Sequence, residues 1–138
     1  MKKTFFLTVF LTLLFLSACT NESSNGKTQS LEAFYKDAKI ENVDQVIIRD
    51  GSTGASKKII NQEEIIELLS RVKEIIFTPQ ENQEDRIGWL YEITLFDGEK
   101  EFKFSLHHID NTYYDTSPDI YPIVDNYYKK LDTGEESM

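Results

Sequence analysis

The sequence predicts an α+β domain: a small antiparallel sheet of about five strands, in ββαβββα order, with helices packed on one face. Three observations predict it. Short runs of β-branched or alternating residues are separated by turn signals at 50–54, Asp97-Gly98 and Asp110-Asn111. Two stretches repeat apolar residues at helical period, and each is followed or preceded by a proline or a cap. Hairpin-linked strands with helices between them bury one face of each against the other, which is the α+β arrangement.

A short leading helix comes first. Leu31, Phe34, Tyr35 and Ala38 share one helical face behind a cap at Ser30. The β-branched stretch 43–50 reads as a strand, 50–54 as a turn rich in Gly, Asp and Ser, and 55–60 as the returning strand. Asn61-Gln62-Glu63-Glu64 has the form of a capping box. Behind it Ile65, Leu68, Leu69, Val72, Ile75 and Ile76 mark one face of a helix expected over 62–76, ending near Phe77 ahead of Pro79. Glu63, Glu67, Arg71, Lys73 and Glu74 mostly take the other face.

A polar, acidic loop is expected over 78–88. The strand 89–96 should place Trp89, Tyr91, Ile93 and Leu95 on one face, and 99–106 should return with Phe102, Phe104 and Leu106 inward. A third strand follows over 112–116. Ile120, Ile123, Val124, Tyr127, Tyr128 and Leu131 then space a final helix, whose regular turns are expected to begin at Pro122. Residues 132–138 carry no large apolar group except the terminal Met138 and should fray.

Ahead of the domain stand two segments of different character. Residues 1–18 hold Lys2 and Lys3 and an apolar run from Phe5 to Leu16. As a helix that run reaches only ~18 Å, short of the ~30 Å hydrocarbon core, so it reads as a secretory signal. Ser17 and Ala18 follow it, and then Cys19, the only cysteine of the chain. Residues 20–30 contain no large apolar residue and read as a flexible spacer with a typical reach of ~18 Å.

Leu16-Ser17-Ala18-Cys19 resembles the lipobox of bacterial lipoprotein precursors. The resemblance implies a signal peptide over 1–18, cleavage between Ala18 and Cys19, and a diacylglycerol on the Cys19 thiol. It also implies a lipidated tether over 19–30 and a cell-membrane location on the extracytoplasmic face. The physical logic agrees, because two acyl chains at about 0.8 kcal/mol per buried methylene hold where one chain is marginal. With no second cysteine, disulfides play no part, and the domain over 31–131 must be held by its core. The element order is similar to that of many small bacterial lipoproteins, a likeness that implies no particular activity.

Charge and motifs narrow the function. The chain carries a net charge of −9, and removing the two lysines of the leader takes this to −11. Phosphate backbones need a basic surface, so nucleic acid is excluded as a partner. His107 and His108 are adjacent and would point to opposite faces of a strand, which disfavours a shared metal. Asp110, Asp115 and Asp119 lack the alternating ligands, central Gly and closing Glu of a calcium loop, and read as turn and cap residues. No G-x-S-x-G, phosphate-cradling glycine loop or H-E-x-x-H occurs. The expectation is a binding or envelope-accessory module with no catalytic residue, metal or cofactor. Its partners are the membrane, through lipid on Cys19, and an extracytoplasmic protein. An inhibitor or immunity-type surface lipoprotein, or a minor envelope enzyme, stand as alternatives. Tyr113, Tyr114, Tyr121, Tyr127 and Tyr128 gather near the carboxyl end, and tyrosine suits interfaces. Tyr113 and Tyr114 are the candidate surface residues. In a strand they face opposite sides, so at most one is buried, and the other joins Glu92, Thr94, Lys103 and Ser105 on an open face.

Overall fold

The structure is a computed structural model and describes residues 26–84 and 88–136. Cys19 and the lipobox lie outside the described residues. The chain forms β1 (Gln29–Ser30), α1 (Leu31–Asp37), β2 (Gln45–Asp50), β3 (Ser56–Ile59), α2 (Gln62–Val72), β4 (Ile76–Pro79), β5 (Tyr91–Asp97), β6 (Lys100–Ser105), β7 (His108–Ile109), β8 (Thr112–Ser117) and α3 (Ile120–Glu136). The α+β class holds: among the described residues, three helices accompany one antiparallel sheet. Among these residues the sheet has eight strands, where about five were expected, in the order β1-β4-β8-β7-β6-β5-β2-β3.

Three strands escape a reading of the sequence for physical reasons. Two of them, β1 and β7, are two residues long, too short to show alternation. The spacer's last two residues, Gln29 and Ser30, pair with Phe77 and Ile76. The third, β4, is hidden in a helical period. Ile75 and Ile76 continue the spacing of α2, yet the helix stops at Val72. There the incoming chain takes over: Leu31 donates its N–H to the Ile75 carbonyl (3.0 Å) and Glu32 donates to that of Lys73 (3.0 Å). Tertiary pairing thus overrides a local preference. The buried face of α2 is Ile65, Leu68 and Val72, with Leu69 half-buried and Ile76 outside the helix, 40% exposed.

The caps follow from side-chain chemistry. Ser30 Oγ accepts the Ala33 N–H (3.1 Å), and Asn61 Oδ1 accepts those of Glu63 (2.9 Å) and Glu64 (3.2 Å). Asn61→Ala is expected to lower stability by about 0.5–2 kcal/mol, read as a lower denaturant midpoint at constant slope. α3 starts two residues earlier than Pro122. The Asp119 carboxylate accepts the Tyr121 N–H (3.1 Å) and Thr116 Oγ1 accepts that of Ile120 (3.1 Å). Pro122 then falls in the first turn, where an N–H has no helical partner to lose. The helix continues through Glu136, into the stretch expected to fray, with Gly134 the strongest breaker on the way.

The turns set the register. β5 and β6 pair Asp97 with Lys100, so the loop is Gly98-Glu99, one residue later than read from Asp97-Gly98. Gly98 takes φ 63° at the first central position, which suits a tight antiparallel turn. Asp110 (φ 48°) and Asn111 (φ 65°) form the two-residue turn between β7 and β8. Asp97 also holds the α1–β2 connection, accepting the N–H groups of Glu41 (2.8 Å) and Asn42 (3.1 Å). Those donors hold its carboxyl below the ordinary carboxylate range. A depressed carboxylate stabilises above its unfolded pKa and ceases to do so as pH falls through the lower, folded value. Asp97→Asn should therefore flatten the acid limb of the stability profile, and an unchanged limb would show the loop to be held by other contacts.

The core lies between the sheet and the helices. Val46, Ile48, Ile93, Leu95, Phe102 and Phe104 point inward from the central strands. Phe34 of α1 meets Phe77 and Tyr114 edge to face, at 5.9 and 5.4 Å between centroids. Under α3, Tyr91 donates its hydroxyl to Asp125 Oδ1 (2.7 Å), and Lys129 pairs with the same carboxylate (2.9 Å). Burial first, and the Asp125 bond second, push the Tyr91 hydroxyl pKa up; the same bond and Lys129 hold Asp125 down. Lys57, buried on the inner side of β3, donates to the Tyr128 carbonyl (3.1 Å), with its ammonium 3.9 Å from the Tyr128 ring centroid. This ties the far edge of the sheet to α3.

Candidate interaction surface

Strand alternation puts every second side chain on the face away from the helices. The pairing registers line these residues up across the strands. Arg49 pairs with Ser56 on one side and Glu92 on the other; Glu92 pairs with Ser105, Ser105 with His108, and His108 with Tyr113. A second row runs Lys58, Ile47, Thr94, Lys103, and a third Gln45, Phe96, Glu101. All are exposed or half-buried except Thr94, which the surrounding longer side chains shield.

Tyr113 and Tyr114 part company. Tyr113 is half-buried on this outer face, its ring 4.3 Å from that of His108. Tyr114 is 2% exposed and belongs to the core, so it is removed from the candidate surface. The reason is the pleat: the two residues must face opposite sides, and Tyr114 takes the side covered by α1. Of the other clustered tyrosines, Tyr127 and Tyr128 are buried and Tyr121 is half-buried.

Two features of this surface depend on long-range pairing. Trp89, expected inward with Tyr91, precedes β5 and is 37% exposed, with the Arg49 guanidinium 5.7 Å from its ring centroid. An aromatic residue therefore stands near each end of the first row. Ile47 and Arg49 join the face because β2 pairs with β5, a contact no turn signal announces.

The acidic loop is fastened beside Tyr113. β4 ends at Pro79, which cannot donate, and the ladder goes on by other means. Gln80 donates its N–H to the Tyr113 carbonyl (2.9 Å). The Gln83 amide both donates to that carbonyl (3.0 Å) and accepts the Tyr113 N–H (2.8 Å), standing in for a peptide group of a neighbouring strand. Gln83→Glu keeps the acceptor and loses the donor. It should cost about 1–3 kcal/mol as a carboxylate faces a carbonyl, whereas Gln83→Ala should mainly quicken exchange of the Tyr113 amide. No motif marks Gln83 in the sequence.

No protein-family model matches this chain, and no curated protein and no solved structure matches it.

The remaining singled-out residues have local roles. His107 Nε2 lies 3.8 Å from Asp119 Oδ1, and Asp115 accepts from the Gln80 side chain (3.1 Å). Among the described residues, no three His, Cys, Asp or Glu side chains gather so as to hold a metal ion. Among the same residues, no helix is long and apolar enough to cross a membrane.

Proposed function

We propose that this chain is a lipid-anchored binding domain on the extracytoplasmic face of a bacterial membrane, held by lipid on Cys19 and meeting a partner protein through the outer face of its sheet. The observation that carries the reading is the solvent-facing row from Arg49 to Tyr113, flanked by Trp89. Arginine and aromatic residues around a polar centre suit a modest, reversible interface. Chain length supports the tether. Seven peptide steps separate Cys19 from Gly26, so their span is at most about 25 Å.

Two measurements test the two halves of the proposal. Cys19→Ala should leave an uncleaved precursor that incorporates no labelled fatty acid; normal labelling and maturation would sink the anchor. Tyr113→Ala in the anchored protein should lose its partner on recovery from membranes while melting at nearly the same temperature. Full recovery with the variant would move the interface off this face.

A further inference from the structure

Among the described residues, the antiparallel sheet contains an open slot. Its position follows from hydrogen-bond parity. In β5, Leu90 at its entry accepts from Gly51 (2.8 Å), so alternate residues from Leu90 onward bond toward β2. The intervening residues Ile93, Leu95 and Asp97 then bond toward β6, to Phe104, Phe102 and Lys100. The peptide groups of Glu101, Lys103 and Ser105 must point the other way. Ser105 meets His108 of β7. That strand is two residues long, and the chain turns away at Asp110. Among the described residues, no strand pairs with this edge of Glu101 and Lys103. Two N–H groups and two carbonyls face a cavity of about 800 Å³ bordered by Phe34, Phe102, Tyr114, Lys103, Glu101 and Asp110.

We infer that this edge of β6 is a strand-addition site for an extended, basic segment of a partner protein. This deepens the binding reading above and rests on it. Unpaired strand edges template main-chain pairing, and an added strand gains its affinity from backbone bonds, with alternate side chains supplying selectivity. One set of side chains would lie toward the rings of Phe34, Phe102 and Tyr114, and the other beside Glu101 on the outer face. Charge chooses the partner. Asp37, Glu101 and Asp110 outnumber Lys27 and Lys103 around the slot, and the whole chain stands at −9, so a basic segment is attracted and an acidic one repelled. The slot opens at the same end of the strands as Gly26, whose backbone crosses Tyr114 and Thr112 so closely that a β-carbon there would meet the tyrosine hydroxyl.

The test uses the isotope-labelled full chain in detergent micelles, with the hexapeptide Val-Lys-Val-Lys-Val-Lys as probe. In the free chain the Glu101 and Lys103 amides should exchange rapidly. With peptide they should shift and slow by about tenfold or more. A copy N-methylated at alternate residues should lose this effect, and the Val-Glu counterpart should bind about tenfold more weakly. The inference is overturned if those two amides are already protected in the free chain, if N-methylation changes nothing, or if no binding occurs at millimolar peptide. Shifts confined to Arg49, Glu92 and His108 would overturn strand addition yet leave binding through the outer face intact. Strand addition together with full partner recovery by Tyr113→Ala would do the reverse.

Discussion

Phe77→Ala is expected to cost about 3–5 kcal/mol, a large share of the stability of a domain this size. Phe77 is fully buried, and its ring meets Phe34 at 5.9 Å, Tyr114 at 5.9 Å and Phe104 at 6.4 Å, all edge to face. Truncation removes the transfer energy of a whole ring and leaves a cavity that three rigid neighbours on α1, β8 and β6 cannot fill by sliding. It also removes three aromatic contacts, each worth about 0.5–1.5 kcal/mol beyond burial. The control sits one residue away. Ile76 is 40% exposed on the other side of the same strand, so Ile76→Ala should change the denaturant midpoint far less. Similar losses for the two variants would mean that β4 does not present Phe77 to the core.

Gly51→Ala is expected to destabilise by about 1–3 kcal/mol through overpacking. Gly51 donates its N–H to the Leu90 carbonyl (2.8 Å), and a β-carbon on it would land on the Trp89 carbonyl. The obstacle is backbone, so no rotamer change relieves it. Either the β2–β5 ladder opens at this end or Trp89 shifts from beneath Arg49. The second outcome would raise Trp89 fluorescence exposure to quencher. Gly54, in the same turn, has φ 79° and open space around it, so Gly54→Ala should show the milder cost of a left-handed backbone alone. Equal stability of Gly51→Ala and the parent would show that the approach of Trp89 is not tight.

The three hairpin turns and the caps at Ser30 and Asn61 announce themselves because their chemistry is local: Gly98, Asp110 and Asn111 accept positive φ, and short oxygens reach nearby N–H groups. The inward alternation of Ile93, Leu95, Phe102 and Phe104 was equally readable. What could not be read was partner choice. β2 joins β5 and β4 joins β8 across long stretches of chain, and nothing near Ile76 says that Leu31 will end the helix before it. For the same reason, sequence alone placed Glu92, Thr94, Lys103 and Ser105 on the outer face and left the choice between Tyr113 and Tyr114 open. Arg49, Ile47 and Trp89 needed the sheet to be assembled, as did the gap beside Glu101 and Lys103.

The sheet order carries a consequence for a chain that emerges amino end first. β4 must wait for β8, pairing Phe77 with Thr116, and β2 must wait for β5, pairing Gln45 with Phe96. Before residue 91 appears, the β2–β3 hairpin, the two-residue β1–β4 pairing and the first two helices can form, and such two-stranded pieces alone are marginal in water. Closure of such distant contacts is slow. The polypeptide therefore remains pliable until nearly its whole length is free, and then collapses late and together.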